Sequence, residues 1–210
     1  MDEIWTFCGK KQGRVTREEA ANTAIGDQYL FYALDRETKL IPAWELGKRN
    51  TDTTYAFIEK LHGTLNGCRP QISTDGFTPY QEAIPTIFGI ECSYGVVYKE
   101  YEGVPTGRGR YAPPKVARTF KHPLIGNPDR SRISTSHVER ANLTLRTFQR
   151  RFTRLSLGFS RKLENLQAAV ALHMAYMNFV WIPRTLKTTP AMAAGIASRP
   201  WKIDDLVDGC

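Results

Sequence analysis

The sequence predicts an α/β protein built on a mixed sheet. Three observations carry that prediction. Strand-forming segments crowd the first third, strands and helices alternate through the middle, and the last third is periodic at helical spacing.

The first strand is Asp2–Cys8, rich in Ile, Trp, Thr and Phe and ended by Gly9-Lys10-Lys11. Residues 28–34 and 40–46 give two more strands, and the polar turn Asp35 to Lys39 between them has hairpin length. An antiparallel meander is therefore expected. A helix follows, capped by Asn50 or Thr51, with Tyr55, Ile58, Leu61 and Leu65 on one face as far as Gly67. Residues 71–74 form a short strand that stops at Asp75-Gly76. A brief helix at 79–84 and a strand at 91–98 complete a β-β-β-α-β-α-β order.

Beyond this point the charge pattern changes. Residues 99–154 hold thirteen Lys/Arg against four Asp/Glu, while the rest of the chain is nearly balanced, so the net charge of +8 comes from about a quarter of the chain. Such clustering is the footprint of a polyanion binder, because neutralising phosphates releases counterions. Residues 99–132 are rich in Pro and Gly and lack apolar periodicity, which predicts a basic, mobile loop insertion or a solvated linker. A helix is expected from Ser134 to Phe152, with residues 138, 141, 145, 148 and 152 facing the core. Ser160 caps a second helix, expected to be buried all round, that runs to about Phe179. Thr189-Pro190 opens a short last one closed by Gly195.

Other features narrow the class. The four cysteines are far apart with no Cys-x-x-Cys pair, which argues for a reduced cytoplasmic protein without its own zinc site. No secretory signal opens the chain, and the apolar run 168–182 contains His173 and Asn178 and is too short to span a bilayer.

Three acids stand where chemistry could occur. Asp2 lies on the first strand and Asp75 at the C-terminal end of the fourth, the end of an open sheet where ligands bind. Glu139 is on the basic helix, and successive steps of three or four residues from it reach the polar Asn142, Arg146 and Arg150. Convergent carboxylates with arginines alongside suit two-metal phosphodiester chemistry, which needs hard oxygen ligands. Glu3 should point to the other sheet face, in a structural or surface role, and His173 should pack in the core. Asn142 and Arg146 are expected to contact a phosphate-bearing substrate. Lys99 and the track Arg150, Arg151 and Arg154 could touch phosphates or simply face solvent.

The segments Asp2-Glu3-Ile4-Trp5-Thr6-Phe7, 29–36 (YLFYALDR), Ser73-Thr74-Asp75-Gly76-Phe77, 137–146 (HVERANLTLR), 155–164 (LSLGFSRKLE) and 189–195 (TPAMAAG) together resemble the transposases of the insertion-sequence-one family, in family order. The resemblance implies a ribonuclease H-like fold: a five-stranded mixed sheet flanked by helices, with the basic insertion and C-terminal helices added. It implies a catalytic core at 1–154 and a helical extension at 155–210. It also implies an Asp, Asp, Glu triad, carried here by Asp2, Asp75 and Glu139, that holds two Mg²⁺ or Mn²⁺ ions for cleavage and transfer of DNA strands.

The partners implied are the element ends and target DNA, a second copy of the chain, and no membrane. Relatives usually carry a zinc-binding helix-turn-helix region ahead of the core, so end recognition is expected from a separate or fused protein of that kind. The alternative is a truncated, non-catalytic remnant that binds DNA or assists assembly. The expected location is the prokaryotic cytoplasm, at the nucleoid when DNA is bound.

Overall fold

A computed structural model describes residues 1–102, 115–154 and 156–208. Its strands are β1 (Asp2–Cys8), β2 (Gly26–Tyr32), β3 (Trp44–Gly47), β4 (Gln71–Asp75), β5 (Ser93–Tyr101) and β6 (Val116–Ile125). Its helices are α1 (Thr51–Thr64), α2 (Thr78–Phe88), α3 (Ser136–Phe148), α4 (Leu163–Ala175), α5 (Pro190–Ala193) and α6 (Ile203–Asp208).

The meander is antiparallel, with Asp2 opposite Tyr32, Cys8 opposite Gly26 and Tyr29 opposite Gly47. β4 pairs parallel with β5 across the α2 connection, and β5 pairs antiparallel with β6. The expected five-stranded sheet is corrected: among the described residues six strands divide into two sheets, β1-β2-β3 and β4-β5-β6. The sheets meet where the Met1 ammonium donates to Ser73 O at 2.7 Å, so the start of β1 lies beside β4.

The expectation of a loop over 99–132 is also corrected. β5 runs on to Tyr101, and Val116, Thr119 and Phe120 supply enough β-forming character for β6, although 116–122 stay exposed. Alternation of Arg and Lys with these residues hides the strand from a reading based on burial. Residues 103–114 of that stretch lie outside the described residues.

Apolar side chains form two clusters, one on each side of β2. Phe31 points into the first, with Phe57, Ile58, Ile72, Ile84 and Val96, so α1 and α2 cover parts of both sheets. Leu30 and Tyr32 point into the second, with Ile4, Val138, Leu145, Phe152, Leu166 and Val170, so α3 and α4 cover the opposite face. This is a helix–sheet–helix sandwich. The alternation of β2 and the i, i+3/i+4 spacing of the helices produce it directly.

Local signals explain most boundaries. Asn50 Oδ1 accepts Thr53 N at 3.0 Å and starts α1, and Thr189 Oγ1 accepts Met192 N at 3.3 Å and starts α5. Ser160 does not cap a helix. It bridges to Cys8, accepts Gly9 N at 2.8 Å and anchors Arg151 Nε at 2.9 Å, and α4 begins at Leu163. Nor is α4 buried all round: Leu166, Val170, His173 and Met174 face the core while Leu172 is exposed. Phe148, expected in the core, is exposed as well, because α3 ends there. No helix among the described residues is long and apolar enough to cross a membrane.

Burial pushes the His173 imidazole down to about 4. The folded state favours the neutral ring, so this group's contribution is complete above its ordinary value near 6.5 and is lost as the pH falls toward 4. The full loss is roughly 3 kcal/mol. His173→Leu removes the ring that must protonate. It is therefore expected to reduce the drop in Tm between about pH 7.5 and about pH 5, measured by thermal unfolding.

Candidate active site

The junction of the two sheets gathers acidic side chains. Asp2 is the first residue of β1 and Asp75 the last of β4. One carboxylate oxygen from each of Asp2, Glu3 and Asp75 lies within 4.8 Å of the others. A hard cation whose ligands sit at about 2.0–2.6 Å can bridge oxygens so spaced.

Each acid is fixed by a different device. Asp2 Oδ1 accepts Glu3 N at 3.0 Å, and Oδ2 accepts Asn142 Nδ2 at 2.6 Å. The Asn142 carbonyl is itself held by the buried Tyr32 hydroxyl at 2.8 Å. Asp75 Oδ1 accepts Phe77 N at 3.1 Å, a turn that ends β4 and leads into α2. Glu3 Oε1 takes the Arg49 guanidinium, with Nη2 at 2.7 Å, while Oε2 is buried without a hydrogen-bond partner.

Electrostatics show a site short of positive charge. Burial raises the Asp2 carboxyl; the Met1 ammonium opposes this and Asp75 adds to it. Burial, with Asp75 next, pushes Glu3 up to about 7 against the pull of Arg49. Glu3 also feels the buried Tyr80 hydroxyl, and the all-oxygen donor set of Asp2, Glu3 and Asp75 fits a hard divalent cation.

A cleft of about 600 Å³ opens over this cluster, lined by Asp2, Arg49, Asp75, Lys99, Thr135 and Glu139 among others. Glu139 lines the same cleft but stands outside the three-carboxylate group. Lys99 pairs with it, and Thr135 Oγ1 donates to it at 2.6 Å. Burial acts to raise the Glu139 carboxyl, but the hydrogen bonds from Lys99 and Thr135 outweigh it and leave it below its usual range.

The structure thus brings Asp2 and Asp75 together with Glu139 across the cleft, and engages Lys99 with Glu139. The expected polar face of α3 is corrected. Asn142 is only 7% exposed, because it follows Val138 by four residues and shares its buried face. It has protein partners at both ends and orients Asp2 instead of facing solvent. Arg146 is half-buried, and its Nε has no partner. Arg150 is exposed, while Arg151 is half-buried and tied to Ser160.

Sequence reasoning missed Glu3, Arg49 and Phe77 as neighbours of the site. Strand alternation does put Glu3 on the face opposite Asp2. Even so, the carboxylate oxygens of Asp2 and Glu3 both come within 4.8 Å of that of Asp75.

Residues 24–97 match a family model described as a DDE domain. The match supports a transposase catalytic domain of the DDE type. It spans about a third of the chain and includes Asp75, while Asp2 and Glu139 fall outside it. No curated protein and no solved structure matches the chain.

Asn142→Ala frees Asp2 from its hydrogen bond to α3. Losses of outer partners typically cost 10–100-fold in metal affinity. A weakening of roughly that size in Mn²⁺ binding is expected by titration calorimetry, with the far-UV circular dichroism of the folded protein retained.

Proposed function

We propose that the chain is the catalytic domain of a transposase resembling the insertion-sequence-one family, cutting and rejoining DNA strands at element ends. The observation that carries this reading is the convergence of Asp2 and Asp75 at the sheet junction with Glu139 across the same cleft. The DDE-domain match over residues 24–97, which include Asp75 on β4, supports the transposase part of this reading.

In this reading Asp2, Asp75 and Glu139 hold two Mg²⁺ or Mn²⁺ ions, with Glu3 beside them. Bound there, the ions would supply Lewis acidity at the attacking and leaving oxygens of a phosphodiester. The chain's own residues set the geometry. Asn142 fixes the Asp2 carboxylate, Thr135 and Lys99 fix Glu139, and the turn at Phe77 fixes Asp75. The exposed guanidinium of Arg150 and the basic β6 offer charge to the DNA backbone, and Arg146 and Arg151 stand near it.

The partners that go with this reading are DNA ends and target, a second copy of the chain, and a separate or fused zinc-binding helix-turn-helix protein for end recognition. The site of action is the cytoplasm. A second reading, a non-catalytic DNA-binding remnant, draws on the Lys99–Glu139 pair, which neutralises the third acid.

One experiment separates the two. With Mg²⁺ or Mn²⁺, wild-type protein should nick or join DNA carrying element ends. Asp75→Ala and Glu139→Ala should lose this activity altogether while remaining folded by circular dichroism. Wild-type nicking by both variants would remove the catalytic reading.

A further inference from the structure

Arg49 sits in the connection between β3 and α1, yet it is held from two sides. Its Nε donates to Glu3 Oε1 at 2.8 Å, and its Nη2 forms an ion pair with the same oxygen at 2.7 Å. Its guanidinium lies over the Phe77 ring with the central carbon 3.9 Å from the ring centroid. Glu3 is itself buried, with a side chain only 4% exposed, whereas the Arg49 side chain keeps 41% of its surface open. That open part lines the cleft with Asp2, Asp75 and Glu139.

A guanidinium carries five N–H donors in one plane. Glu3 engages the edge formed by Nε and Nη2, and among the described residues no acceptor takes Nη1. The free edge therefore points donors outward from a cation whose position is already fixed. A side chain ordered in advance loses little further freedom when a ligand arrives. Among the described residues lining the cleft, the other basic side chain, Lys99, is engaged by Glu139. A cleft lined by so many carboxylates repels an anionic strand unless a fixed cation receives it, and a planar fork suits phosphate oxygens better than a lysine does.

We propose that Arg49 grips a backbone phosphate of the DNA strand entering the cleft, with Glu3 and Phe77 as the positioning residues that hold its fork. The inference rests on the DNA strand-transfer reading. It assigns to Glu3 a second task besides lying in the carboxylate cluster, and it explains why a buried acid at this place is matched to an exposed arginine.

The test is binding of a fluorescein-labelled duplex of random sequence, followed by anisotropy in Ca²⁺ over a range of salt concentrations. Arg49→Ala should weaken binding roughly fivefold at low salt and reduce the magnitude of the slope of log K against log salt by about 1, the signature of one lost phosphate contact. Arg49→Lys keeps the charge but not the fork, so its slope should match wild type and its affinity fall in between. Arg199→Ala removes a positive charge outside the cleft, where Arg199 pairs with Asp205, and should leave the slope unchanged.

Wild-type affinity and slope in Arg49→Ala, or an equal loss in Arg199→Ala, overturn the assignment of Arg49 while strand transfer stands. A wild-type protein with no salt-dependent affinity for DNA overturns both. Should Arg49→Ala not fold, Arg49→Gln keeps a planar group over Phe77 and carries the same comparison.

Discussion

The start of β1 lying against the tip of β4 is the contact on which the whole site depends. It places Asp2 and Glu3 within reach of Asp75, and it does so at an electrostatic cost. Two like charges near 5 Å apart repel by on the order of 3 kcal/mol at an effective dielectric near 20. Part of that strain is relieved by the raised carboxyls of Asp2 and Glu3, part by the Met1 ammonium and part by Arg49. The remainder is borne by apolar packing. Phe31 from one sheet and Ile72 and Val96 from the other share a single cluster beneath α1 and α2. The two sheets are thus joined mainly through a helical cover, with the Met1–Ser73 hydrogen bond at the seam.

Much of this arrangement was legible in the residues. Asp2–Cys8 forms a strand with the bounds its β-forming residues suggest, and Asn50 caps the helix whose apolar face begins at Tyr55. Those signals are local, and local chemistry decides them. Asp75 at a strand end and Glu139 on a basic helix were also readable, because strand ends and helix faces follow from periodicity. What periodicity could not show was which ends meet. Glu3 looked peripheral because alternation gives its face but not what covers that face, here Arg49 and the tip of β4. Asn142 looked exposed because it is polar, although its four-residue offset from Val138 already put it on the buried side. β6 was hidden for the opposite reason: it is a strand without a buried face.

Charge is distributed with a purpose that composition alone could only hint at. The acids concentrate at the seam, and of the described cations in residues 99–154 Lys99 lies on β5, Arg118 and Lys121 on β6 and Arg140 on the exposed side of α3. Lys99 and Arg49 are the exceptions that reach inside, each answering one glutamate.

α3 contributes Glu139 and, three residues on, Asn142, whose amide steers Asp2. One rigid rod consequently sets the bearing of two acids that belong to different parts of the fold. Adding or deleting a single residue between them would swing one past the other by about 100° and undo both at once. Replacements on the rod's outer side, at Leu143 or Thr147, leave that gauge untouched. The helix can drift in composition, but not in count.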